Sequence, residues 1–137
     1  MSAEAAFQDA LIAHLSADAG VVALLGDPPR VFDEEPDGAA YPYVTIGRGV
    51  SEDADASGAR VIEHRLTLHV WVRYGGRREA KTVVDAVRAA GHEAALSLAG
   101  GWRCVFCRSV YADAFRTRDS RIAHGVIRFR AMLEQIN

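Results

Sequence analysis

The chain has 137 residues, which suits one domain spanning 1–137 with room for a real core. Half of it is hydrophobic and a quarter is charged, the ordinary balance of a globular domain. A formal net charge of −2 and a pI near 6.2 argue against a dedicated nucleic-acid-binding module, which runs strongly basic. No apolar run approaches the roughly 20 residues of a membrane span. The segment from Met1 to His14 is acidic and Ala-rich, without a basic-then-apolar leader, so synthesis in a bacterial cytoplasm is the expectation.

The net charge hides an asymmetry. Up to Gly58 there are eleven acids and only Arg30 and Arg48 as bases, a balance of −9; the remainder carries fourteen bases and seven acids, a balance of +7. Two outcomes stay open. The halves interleave in the fold and the charges mix, or the subunit is bipolar, with an acidic edge that meets a basic edge of a neighbour.

In chain order, Phe7, Ala10, Leu11, His14 and Leu15 predict a helix over 3–17, and a second short helix runs from Asp18 to Leu25. Gly26-Asp27-Pro28-Pro29 ends it. Arg30 to Asp33 is a short extended piece, and Glu34 to Gly38 is polar turn material. Tyr41 to Gly47 reads as a strand, with Pro42 near its start where a missing donor is tolerated. Residues 49–60 have low hydrophobicity and no period, which predicts a mobile loop that a partner could order.

Val61 to Tyr74 alternates strictly. Ile62, His64, Leu66, Leu68, Val70, Val72 and Tyr74 form one face, and Glu63, Arg65, Thr67, His69, Trp71 and Arg73 form the other. Gly75-Gly76 turns the chain into a helix over 77–96, with Ala80, Val83, Val84, Val87, Ala90, Gly91 and Ala94 on its stripe. After Gly100-Gly101, a strand runs from Trp102 to about Ala114. Phe115 to Ser120 is a polar connection, and Arg121 to Glu134 is the last strand. The order α-ββ-α-ββ predicts an α+β two-layer sandwich: an antiparallel sheet from two long hairpins, with two main helices on one face.

The search for chemistry returns little. Cys104 and Cys107 form a C-x-x-C on a strand, where positions three apart face opposite sides, so neither metal nor redox function is expected. His92-Glu93 begins H-E-x-x-H, but Leu96 stands where the second histidine belongs. His64 and His124 lie on strands and could approach across the sheet, although packing roles explain them as well. No nucleophile, base and orienter come together. The chain is therefore read as no enzyme, with no catalytic, cofactor or metal residues.

Trp71 stands on the polar face of its strand, where a threonine, lysine or glutamate is the ordinary occupant. Either a helix covers that face or Trp71 meets another subunit, and tryptophan and arginine are enriched in interface cores. The candidate contact residues are accordingly Arg65, His69, Trp71 and Arg73 on that strand, with Glu52, Asp53 and Asp55 in the acidic loop.

The order and spacing of several stretches resemble the tail-terminator, or tail-completion, proteins of siphophage-type particles and gene-transfer agents. They are Ala10-Leu11-Ile12 with Val22 to Asp27, Tyr41 to Gly47, Glu63 to Trp71, Gly75 to Lys81, and His124 to Ala131. The likeness covers nearly the whole chain. The double proline after Asp27 and the stretch from Trp102 to Cys107 depart from it. The resemblance implies a ring of six copies that caps the tail tube, stops its polymerisation and meets the head-side connector, while DNA passes through without sequence-specific binding. It implies residence at the neck of the virion, with no membrane partner and no cofactor. A head-completion or neck adaptor is the neighbouring alternative, and a small enzyme or regulatory domain the one from another class.

Overall fold

The computed structural model describes residues 1–73, 76–119 and 121–136. Tyr74, Gly75, Ser120 and Asn137 lie outside the described residues, and with them the end of the alternating strand, half of the Gly-Gly turn and the last residue of the polar connection.

Helix α1 (Ala3–Ser16) starts where the Ser2 hydroxyl accepts from the Ala5 N–H, and α2 (Ala19–Leu25) starts the same way at Asp18. The two helices meet at 82°, and no single described helix is long and apolar enough to cross a membrane. Strand β1 (Val31–Phe32) follows, then β2 (Tyr43–Asp53), β3 (Val61–Arg73), α3 (Gly76–Gly91), β4 (Trp102–Arg116) and β5 (Ile122–Gln135). The strands form one sheet in the order β1-β2-β3-β5-β4. β1 pairs parallel to β2, because residues 33–42 carry the chain back to the end it came from; all other pairs are antiparallel. The sandwich is thus antiparallel but for one short edge strand.

One face of the sheet carries the core. Leu66, Leu68, Val70 and Val72 of β3 and Ile127, Phe129, Ala131 and Leu133 of β5 are buried beneath Phe7, Leu11 and Leu15 of α1 and Val83, Val84 and Val87 of α3. Gly125 lets α3 lie close: a Cβ there would stand 2.5 Å from Val84 Cγ2. His64 joins this face, 3% exposed, with its Nδ1 2.8 Å from the Ser51 hydroxyl and its ring edge-on to Phe7.

Three expectations change. Gly49 to Asp53 are not loop: they pair with Leu66 to Ile62 as the far end of β2. No period shows there because both faces of that strand end are exposed, so nothing selects apolar side chains. The irregular segment shrinks to 54–60, tied by an Ala56–Ala59 bridge and by Asp55 Oδ1 accepting from the Val61 N–H at 2.8 Å. Helix α3 stops at Gly91 rather than 96, because Glu93 adopts φ 58° and gives its N–H to the Cys107 carbonyl of β4. Cys104 and Cys107 share a face, since β4 bulges between Cys104 and Phe106; their partners Leu133 and Ala131 both point to the core.

Candidate functional site

All helices cover the core face, so the opposite face of the sheet is the site that the fold presents outward. Register places Arg65, His69, Trp71 and Arg73 of β3 on it together. Their β5 partners are Arg130, Val126, His124 and Ile122. Glu52 lies across from Glu63 on the same face, at its far end. Asp53, opposite Ile62, alternates to the other face, and Asp55 closes the hairpin tip through its bond to Val61. The seven candidate residues therefore divide into one assembled set of five, one residue on the other face and one in a turn.

The open face has two halves. Toward the β2 start, His124 is the centre of a stacked layer. The Trp71 indole lies on it at 4.1 Å with planes 14° apart, His69 approaches to 4.9 Å, and Phe115 of β4 packs at 4.9 Å from the other side. His69 Nδ1 and His124 Nε2 are 2.8 Å apart, so one neutral imidazole donates its proton to the other's lone pair. Burial holds both imidazoles below the ordinary histidine range; the Arg128 charge adds to the effect at His69, and His69 adds to it at His124. The Trp71 Nε1–H donates to the Thr45 hydroxyl at 3.1 Å. Tyr43, next to Tyr41 at 5.1 Å, completes the layer; burial first, then Tyr41 and Glu35, push its phenol up to about 12.

Trp71 is therefore largely covered by its own chain, though not by a helix. No helix reaches it; a layer of side chains from β2, β5 and β4 does. Sequence reading missed the His69–His124 pair because alternation assigns each residue a face but not a cross-strand neighbour. His64 and His124 stand on opposite faces and do not approach.

Toward the far end the layer is cationic. Arg65 and Arg130 face each other directly, and Glu63 reconciles them, with one oxygen 2.5 Å from Arg65 and the other 3.2 Å from Arg130. Hydrogen bonding from Arg130 is the main cause holding the Glu63 carboxyl below its usual value. Arg108 lies over the Phe106 ring at 4.1 Å and Arg128 over Tyr111 at 4.5 Å. Arg103 pairs with Glu134 at the same end. The guanidinium planes are spent on ring and carboxylate contacts within the sheet.

This arrangement stiffens a surface; it does not poise a reaction. Burial pushes the Cys104 thiol up to about 11 and Cys107 to about 12, away from nucleophilic thiolate. His92 Nδ1 accepts from the Ser109 N–H and so anchors the end of α3 to β4. Among the described residues no three His, Cys, Asp or Glu side chains gather as metal ligands.

The fold is a two-layer α+β sandwich that leaves one sheet face, built of braced aromatic and arginine rows, open to other proteins. Comparison with known proteins supplies the class of protein. The family model described as tail completion protein gp17 matches residues 9–134, and the chain belongs to that family. A chain from the virion of a native gene transfer agent (GTA) particle is similar at 30% identity and a TM-score of 0.87, over 97% of this chain and 98% of that one. No curated protein matches. The chain is thus a tail structural protein of a phage-like or gene-transfer-agent virion, and not an enzyme.

Proposed function

We propose that this chain is the ring subunit that caps the tail tube, stops its growth and joins the tail to the head-side connector. Six copies close the ring and DNA passes through its opening. The observation that carries the reading is the match to a virion chain along nearly the whole length of both, together with a sheet face that no helix of its own covers. A flat face braced by Glu63, Trp71 and His124 can meet a particle neighbour without rearranging, which keeps the ordering cost of binding low. Arg65, His69, Trp71 and Arg73 supply contacts on that face, and the hairpin tip with Asp53 and Asp55 projects beyond the core to reach the tube or an adjacent copy.

The purified protein is tested by native mass spectrometry, negative-stain imaging and addition to polymerising tail tubes. Rings of six and tubes that stop at defined length support the role; a persistent monomer that leaves tube growth unchanged refutes it. Trimming residues 54–59 separates the tip from the fold. Normal head–tail joining by that variant would reduce the tip to a passive connection.

A further inference from the structure

Strand order decides what becomes of the charge asymmetry. Because the sheet runs β1-β2-β3-β5-β4, the acidic segment that follows β1 lies at one edge and the basic end of β4 at the other. Every salt bridge among the described residues joins partners from Glu63 onward, and none involves the eleven acids before Gly58. On the opposite side Arg77, Arg78, Lys81, Arg116 and Arg118 have no carboxylate within 4.0 Å among the described residues.

The two sets also stand at one height. A single row of register crosses the sheet from Val31 through Val44, Val70 and Gly125 to Ala114. Because β1 runs parallel to β2, Asp33 stands beyond that row toward the far end of β2, but the exposed segment then turns back, and Glu35 and Asp37 line a groove with Tyr43 and Arg73 beside the β2 start. Two residues beyond Ala114 stands Arg116, which lines a groove with Arg77, Arg78 and Lys81 of the first turns of α3. Glu35 and Asp37 at one edge and Arg116 at the other therefore lie toward the end of the sheet where β2 begins and β4 finishes.

We propose that these two edges are the contact between neighbouring copies: the acidic segment 33–37 of one subunit docks on Arg77, Arg78, Lys81, Arg116 and Arg118 of the next. The occupant is a second copy of this chain because the complementary charge exists in the same sequence, at matching height, on the opposite edge. Such a contact is head-to-tail, and repetition closes it into a ring when the rotation permits. Charge of this kind sets register and suppresses wrong partners, and it is screened by salt. The inference rests on the ring reading above and adds which edges meet.

Two charge-reversed variants test it: E34K/E35K/D37K, and R77E/R116E/R118E. Far-UV circular dichroism and a thermal melt check that each still folds, as exposed positions should allow. Each variant alone is expected to lose at least tenfold of its ring population in native mass spectrometry, since like charges then face each other at every contact. An equimolar mixture restores attraction at each contact if the variants alternate, so mixed rings of even membership and equal composition should return. If either variant assembles alone as well as wild type, the edges are not the contact, while the ring reading stands. Wild type that never forms rings removes the ring reading itself and the inference with it. Rings that persist in R77E/R116E/R118E while salt-sensitive retention of a DNA duplex is lost would assign the cationic edge to phosphate instead and overturn the proposal.

Discussion

Replacing Trp71 with alanine separates the two possible uses of that side chain. A fully buried tryptophan cut to alanine costs about 3–5 kcal/mol, and Trp71 is largely but not fully covered, so the lost packing is worth roughly 2–3 kcal/mol. The face-on stack with His124 lies inside that figure. The Thr45 hydroxyl, on a residue only 8% exposed, loses its donor as well, which adds about 1 kcal/mol. The expected loss is therefore about 3 kcal/mol or slightly more. With a urea slope of about 1–3 kcal/mol per molar, the unfolding midpoint should fall by roughly 1–3 M. Trp71→Phe keeps a ring on His124 but not the N–H donor, and should lose only about 1 kcal/mol. Urea titration followed by circular dichroism, alongside ring formation well below each melting temperature, reads both effects. A Trp71→Ala midpoint within about 0.3 M of wild type, with assembly abolished, would show that the indole belongs to a neighbour's surface and refute the intrachain layer.

Acid should weaken the fold through its histidines. Burial lowers the folded values of His64, His69 and His124 from 6.5, so the unfolded chain binds more protons; stability is full above the unfolded value and declines as pH falls through it toward the folded values. Melting temperatures measured from pH 8 to pH 5 should drop below about 6.5, and a flat profile would contradict the neutral His69–His124 pair. Gly125→Ala should cost about 1–3 kcal/mol in a urea titration, because the new Cβ meets Val84 Cγ2 at 2.5 Å and Val70 Cβ at 3.1 Å; an unchanged midpoint would mean that α3 lifts freely. Both thiols should react with a thiol reagent near pH 7.5 far more slowly than an exposed cysteine, with Cys107 the slower; rapid labelling of the native protein would deny their burial.

Sequence alone determined the elements whose apolar period is long and has one buried face. The alternation of β3, the alternation of β5 and the stripe of α3 each follow from a side chain's direction relative to its own backbone, a local property of the repeat. Where neither face is buried, as from Gly49 to Asp53, the same reasoning has nothing to read and reports a loop. The tertiary structure alone decided what depends on neighbours. A one-residue bulge in β4 turned Cys104 and Cys107 to a common face, and register brought His124 under Trp71 and against His69. Strand order set the acidic segment 33–37 and the basic end of β4 at opposite edges of the sheet, which composition alone does not say. Those outcomes are set by pairing between distant segments, Val61 with Glu134 among them, and no local pattern of polarity encodes which strand lies beside which.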